Sequence, residues 1–482
     1  NRKPFTKWIG DISKKFNNDI DWWVTLPLTR DSNSSNLFHY ICLLKTLEVL
    51  KGLKKSIFIK VNSKSLLDII EIWSKRNNFS INVDYVKKSK KLGEYLIIFN
   101  FIIFNFFIFF YIKSLTKKIS INKNINQNVL IDTFATKESI YHERFYKGID
   151  LFLNKKKINH VFFVPTFIIE NNLLNIIKII RALNHKNYLF KEHYLKFRDI
   201  IFAHLHFFRI KIYLKKFKSY SGWDLSTIIC EEITSSKDYS SKVNAILNYK
   251  FAKNLHNNKI PIKKTINWFE NQIADKGWNL GFRKYFKKIK TYGYQGFLHV
   301  PHFMHLSPAK HEEESKVIPS EIIVVGKAYK NVKKEFFPKV KVLIGPALSY
   351  LDVLKTNSKS NKINVLVILT GIKLLDAKLL EWVGAIKEIN KKLKVVIKPH
   401  PILPIDKIIF NGTGPFFNSP TNQGSSLLII RHAEMKGTTL ATGYYMNIEL
   451  YDSELEDANL SHSESDVGLI AERNVFRNLS SW

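Results

Sequence analysis

Seven short runs of β-branched and aromatic residues recur along this chain, at Ser56–Val61, Asn128–Ile131, Val161–Val164, Glu321–Val325, Val340–Ile344, Asn364–Leu369 and Leu393–Ile397. Stretches long enough for helices separate them, and that alternation is what covers a parallel sheet on both faces. An α/β chain is therefore expected. At 482 residues it exceeds the size at which a single core stops growing, so it should divide into domains. The natural break is Ser307–Ser320, where prolines, a histidine and three consecutive glutamates interrupt the periodicity. This gives an N-terminal domain over residues 1–319 and a C-terminal one over 320–482. No internal repeat stands out. Neither GxGxxG nor GxxxxGK[ST] occurs, which disfavours a dinucleotide fold of the usual kind and a P-loop ATPase. No metal-ligand spacing is visible, so no metal is expected.

Cys42 and Cys230 are the only cysteines, which excludes a disulfide scaffold and fits a reducing compartment. The chain opens at Asn1 without a charged-then-apolar signal pattern, and the missing initiator methionine suggests a piece of a longer protein. Lys+Arg of 75 against Asp+Glu of 41 leaves a net charge of +34, a field suited to phosphorylated substrates, an anionic membrane or nucleic acid. Nucleic acid is the weakest of these partners, because the aromatics are not interleaved with the lysines.

One stretch departs from the globular pattern. Tyr95–Ile112 reads YLIIFNFIIFNFFIFFYI, eighteen residues without a charge, between Lys87, Lys88, Lys90 and Lys91 on one side and Lys113, Lys117 and Lys118 on the other. It reaches the bottom of the spanning range, but Asn100 and Asn105 interrupt it and the flanks lack a one-sided bias. An interfacial helix, a buried helix and a span all remain open.

Two segments carry the chemistry. In the first, Glu270, Asn271 and Gln272 leave the end of the apolar Trp268-Phe269 together, offering a carboxylate that can orient or deprotonate a hydroxyl, with a pKa raised if partly buried. Lys276 and Arg283, seven apart on one helical face, either pair with acids or attract an anionic acceptor. Tyr294, Gln295 and His299 follow Gly293 at another strand edge, supplying a ring and hydrogen-bonding groups that grip a sugar. In the second segment, VVIKPHP, the run ends in Lys398 and Pro399, which puts His400 and the rigid Pro401 at the carboxyl edge of a sheet, where open α/β folds bind ligands. Further on, Gly424, Ser425 and Ser426 precede LLIIRHAEMKG; they read as a phosphate-holding helix start, with Glu434 about two turns on and able to accept from a ribose.

ENQIADKGWNLGFR followed by GYQGFLHV resembles the E-x-Q-x-x-(E/D)-K … R … GYQH block of the bacterial surface carbohydrate biosynthesis proteins, a family of glycosyltransferases for O-antigen-like polymers. DWWVTLPLTRDSNSSNLF, VLIDTF, HVFFVPTF and KPHP share in the resemblance, which spans Asp21 to about Tyr451. More distantly, His400-Pro401 and Ser425-Ser426 resemble the HP and SS motifs of bacterial sialyl- and polysialyltransferases. The resemblance implies a GT-B fold, two Rossmann-like domains facing across a cleft, with a CMP- or UDP-sugar on the second and no tightly bound cofactor. Gly296 stands where the family often has histidine, leaving His299 or His302 as substitutes. After Glu434, ATGYYMNIELYDSELEDANLSHSESDVGLI is polar and poorly periodic where an apolar strand is expected.

The expected activity is transfer of a sugar from a nucleotide-activated donor to a surface polysaccharide or lipid-linked glycan, with Glu270 and His400 as catalytic residues. Lys398, Pro401, Gly424, Ser425, Ser426 and Glu434 would hold the donor, and the residues from Asn271 to His299 named above the acceptor. A polyol-phosphate or phosphosugar transferase and a non-catalytic basic scaffold in polysaccharide assembly are the alternatives. The expected location is the inner face of the cytoplasmic membrane.

Overall fold

A computed structural model describes residues 2–51, 57–86, 92–119, 121, 127–135, 144–158, 160–167, 173–184, 187–300, 303–351, 364–389 and 394–398, and the strands named below between 409 and 481. The chain is mixed α/β and divides into two compact units, Asn1–Thr356 and Asn357–Trp482.

The first unit is built on a parallel six-stranded sheet comprising Val129–Ala135 (β3), Val161–Phe167 (β4), Lys264–Trp268 (β5), Lys290–Gln295 (β6), Glu321–Val324 (β7) and Val342–Ile344 (β8). Its strand order is β4-β3-β5-β6-β7-β8. The chain thus enters near one edge, steps outward to β4, returns past β3 and proceeds in the other direction. That reversal between β3 and β5 makes a topological switch point, and the crevice outside the carboxyl ends of such strands is where open sheets take ligands. The edge position of β4 accommodates Pro165, which has no N–H to give a ladder on its far side. All seven β4 residues are nevertheless buried, and Phe163 continues the bonding outward, donating to Asn187 O at 2.8 Å and accepting from Leu189 N at 2.7 Å.

Ahead of this sheet lie helices Arg2–Ser13 and Leu37–Leu50 and a small parallel unit, Ile57–Val61 (β1), helix Lys64–Arg76 and Ile81–Tyr85 (β2). Ser63 caps that helix by accepting from Leu66 N at 3.1 Å. The long connection from β4 to β5 contains helix Tyr239–Asn257, which packs tightly on helix Ile273–Tyr285. Gly277 permits the approach: a Cβ there would lie 1.7 Å from Ala245 O.

The break after residue 319 is not where the chain divides. β7 pairs with β6 from Tyr292↔Glu321 to Gln295↔Val324, and β8 pairs with β7, so both complete the first sheet. The run of glutamates that suggested a boundary is a short helix, Lys310–Glu314, tied into the first unit as described below.

The second unit opens with Asn364–Ile368 (β9), helix Lys373–Ile389 and Lys394–Lys398 (β10), and the two strands pair in parallel. Asp376 holds the turn into this helix, accepting from Thr370 N at 2.5 Å and Gly371 N at 2.9 Å. Beyond it every described element is a strand. Ile409–Asn411, Glu434–Lys436, Glu454–Glu456 and Val475–Arg477 form one parallel sheet. Pro415–Phe417, Thr439–Thr442, Asn459–His462 and Ser480–Ser481 form a second, and Ser426–Arg431, Met446–Tyr451 and Leu469–Glu472 a third. Successive described strands join the three sheets in rotation, which is a parallel solenoid.

This corrects two expectations. The tail does repeat: Glu434 pairs with Glu454, Thr439 with Asn459 and Ser426 with Met446, an offset of 20 residues. One register column holds Phe410, Met435, Leu455 and Phe476, apolar at every level. Ser426 also begins a strand rather than a helix, and Glu434 begins the next strand rather than lying two helical turns on. Stacking on the neighbouring coil supplies the backbone partners that a helix would otherwise provide within itself.

Gly277→Ala should separate the two packed helices and destabilise the first unit by about 3 kcal/mol or more, measured by urea denaturation. An unchanged midpoint would contradict the packing.

Candidate functional site

The site grows from the way β5 ends. Asn271 adopts a left-handed backbone conformation, φ 58°, which asparagine tolerates better than most residues, and the chain turns straight from the strand into helix Ile273–Tyr285. Asp275 in the first helical turn ties the turn together. Its carboxylate accepts from Glu270 N at 3.1 Å, Gln272 N at 2.9 Å and Asn267 Nδ2 at 2.8 Å. Burial nonetheless outweighs these bonds and raises its pKa to about 7.

Glu270 is left partly exposed at the carboxyl edge of β5, beside the switch point. Its Oε1 accepts the Trp268 indole N–H at 2.7 Å, while burial foremost, and the nearby Asp31 carboxylate, raise its proton affinity. A carboxylate that is reachable, oriented and more basic than usual is equipped to take a proton from a hydroxyl. Gln272 is exposed next to it.

The other residues expected on the acceptor side are committed within the protein. Asn271 Nδ2 donates to His305 O at 2.8 Å, and its Oδ1 accepts from Lys276 Nζ at 2.5 Å. Lys276 also reaches Glu312 Oε1 at 2.6 Å, and the second oxygen of Glu312 takes Arg30 Nη2 at 2.7 Å. Arg30 further donates to Ser307 O at 2.9 Å and Met304 O at 3.2 Å. Arg283, of the two alternatives, pairs with an acid, making a two-pronged bridge to Glu313 at 2.7 and 2.8 Å. Tyr294 donates to Pro346 O at 2.8 Å and accepts from Leu348 N at 3.1 Å. Gln295 donates to Leu306 O at 3.3 Å, with its Oε1 buried and unpartnered among the described residues. His299 Nδ1 lies 2.7 Å from Lys333 Nζ; burial lowers the histidine to about 4 and the lysine to about 7.

A second polar set lies deeper along the same sheet edge. Asp132, in the carboxyl half of β3, is buried, and its Oδ1 has no hydrogen-bond partner among the described residues. Burial raises its pKa to about 8; the Lys191 charge opposes that rise and Asp275 adds to it. Lys191, itself buried and shifted down, donates to Asn248 Oδ1 at 3.0 Å and Thr166 Oγ1 at 3.2 Å. The sequence drew attention to the VLIDTF run that contains Asp132 but gave no sign of the parts played by Lys191, Asp31, Glu312 or Lys333. Their partners are distant in the chain, Arg30 and Glu312 being 282 residues apart.

Lys398 ends β10 and is exposed. His400, Pro401, Gly424 and Ser425 lie outside the described residues, and Ser426 and Glu434 are placed only as strand positions. Among the described residues no group of three or more His, Cys, Asp and Glu side chains is disposed to hold a metal. A cleft of about 630 Å³, lined by residues including His256, Pro261, Phe286 and Lys288, lies before the starts of β5 and β6, at the amino edge of the sheet. Its lining contains no acid, so the carboxyl edge is the better candidate for proton transfer.

Glu312→Gln should cost about 3–5 kcal/mol, because it leaves Arg30 and Lys276 buried beside a neutral group. The two cations hold the Glu312 pKa well below its ordinary 4.5, so its stabilisation is complete above that value and is lost as pH falls toward the lowered one. Denaturation of wild type and variant at pH 7 measures the cost, and equal stability would contradict the ion network. Asp132 has the opposite sign. The folded state holds its proton more tightly than the unfolded chain, so stability declines as pH rises from about 3.8 to about 8. Asp132→Asn should flatten that decline in a pH series of denaturation midpoints, and an unaltered slope would contradict the assignment.

Comparison with family models, curated proteins and solved structures finds no match to this chain.

Proposed function

We propose that the protein is a glycosyltransferase that moves a sugar from a CMP- or UDP-activated donor to a surface polysaccharide or lipid-linked glycan. The observation that carries this reading is Glu270, a partly exposed carboxylate with raised proton affinity at the carboxyl edge of a parallel sheet, beside its switch point. Buried polar neighbours hold its backbone while its side chain remains reachable.

In this reading Glu270 takes the proton of an acceptor hydroxyl as that oxygen attacks the anomeric carbon. The bond from anomeric carbon to phosphate oxygen breaks, and its electron pair leaves with the nucleotide. The product has inverted configuration and no covalent sugar–enzyme intermediate is needed. Charge that grows on the departing phosphate needs a cation or a hydrogen-bond donor to oppose it, and Lys398 and His400 are the candidates that the sequence offers for that role. The parallel β9–helix–β10 element supports a second nucleotide-fold domain of GT-B type as far as Lys398, with the solenoid following it as an added architecture.

Nucleotide release, followed across a panel of CMP- and UDP-sugars with a glycan acceptor, tests the proposal. Glu270→Gln should lower turnover by about 10²–10⁴-fold while leaving nucleotide affinity in calorimetry unchanged, since it alters charge and not shape. Wild-type turnover should rise with pH through a value above the usual 4.5, because the base works deprotonated. Full activity of Glu270→Gln would remove Glu270 as the base, and no nucleotide binding by the folded protein would overturn the transferase reading.

A further inference from the structure

The uncharged segment singled out in the sequence is the helix Leu92–Leu115, and it keeps one side in the protein core. Phe101, Ile108, Phe109 and Ile112 are buried in the first unit. The opposite side is exposed, with Leu96, Phe99, Ile103 and Phe110 recurring at helical spacing. A helix with one side packed in protein is not ringed by lipid, which disfavours a lone span. Asn105, one of the two polar interruptions, donates back to Phe101 O at 2.9 Å and so satisfies its amide within the helix.

A second apolar stripe adjoins the first. Phe197, Ile201, Leu205, Phe208 and Ile212 are all exposed, at intervals of four, four, three and four along the helical stretch that begins with Phe197–His204. The two stripes meet where the Phe197 ring lies 5.8 Å from that of Phe110 and 5.6 Å from that of Phe106. The rim is basic: Lys196, Arg198, Lys211, Lys215, Lys216 and Lys218 are exposed on the second segment. Its only acid between residues 194 and 219 is Asp199, buried and accepting from Lys196 N at 2.8 Å and Asn254 Nδ2 at 2.7 Å. Lys211 Nζ sits 5.5 Å over the Phe208 ring, so the cationic rim and the apolar stripe share one edge.

We propose that these two stripes form a single platform that docks on an anionic lipid leaflet, with the phenylalanines and isoleucines entering the headgroup boundary and the lysines meeting lipid phosphates. Neither stripe alone combines this apolar width with so one-sided a charge, and that combination is what an interfacial helix pair requires. The inference does not depend on the transferase reading.

Cosedimentation of the full chain with vesicles tests it. Phosphatidylglycerol–phosphatidylcholine vesicles should bind the protein, and phosphatidylcholine alone should not. Ile201→Glu combined with Phe208→Glu should reduce binding by at least about a hundredfold, with an unchanged circular dichroism spectrum. Lys215→Gln with Lys218→Gln, substitutions at exposed positions, should weaken it about thirtyfold, near fivefold per cation. Binding that survives both pairs, equal binding to neutral vesicles, or retention on vesicles through an alkaline wash as for a span would overturn the platform. So would sedimentation velocity showing a lipid-free dimer that the glutamate pair dissolves, because the stripes would then face a second copy of the chain.

Discussion

The first unit depends on one buried carboxylate. Glu312 has no side-chain exposure, and it is flanked by two cations that are equally buried, Arg30 and Lys276. Those three residues belong to the N-terminal segment, the helix after β5 and the segment between β6 and β7. None of these charges is tolerable alone in that environment, since an unpaired buried ion costs several kcal/mol. Together with Asn271, which lies against both Lys276 and Glu312, they fix the turn that ends β5. Hydrophobic packing would bring these segments together; the ion network gives them one arrangement.

That arrangement decides which polar groups can meet a ligand. Asn271, Lys276 and Tyr294 use hydrogen-bonding groups on partners within the protein and hold the backbone at this sheet edge, and Arg283, in the last turn of its helix, does the same with Glu313 and Ile318 O. Glu270 is the exception, anchored by Trp268 yet partly exposed. Behind it, burial raises Asp275 to about 7 and Asp132 to about 8, so the charge of both acids depends on pH around neutrality. Glu270 owes its raised proton affinity to burial first and then to the nearby Asp31 charge, which suits a general base and fits the proposed transfer.

Much of this frame was legible in the chain. The strands at Val129, Val161, Glu321 and Val340 announce themselves because a sheet buried on both faces needs unbroken apolar runs, and the polar triplet Glu270-Asn271-Gln272 stands out because it ends such a run. What was not legible depends on distance or on repetition too weak to see. No local pattern connects Arg30 with Glu312, so three glutamates in a row read as a boundary when one of them is a centre of the core. The solenoid strands are two to six residues long and rich in polar residues. Their apolar positions align only once Met435, Leu455 and Phe476 are laid over one another at steps of 20 and 21. Lys276 and Arg283 share a helical face, as their spacing required, but spacing could not say that Glu312 and Glu313 would already be waiting for them.

The account turns on Glu312 coupling its two cations, and a double-mutant cycle over Arg30→Met and Glu312→Gln measures that coupling directly. Denaturation of the wild type, the two single variants and the double variant should give an interaction energy of about 2–3 kcal/mol, with the double variant far less destabilised than the sum of the singles. An interaction energy within about 0.5 kcal/mol of zero would mean that the two residues act independently and that the turn presenting Glu270 is held by something else.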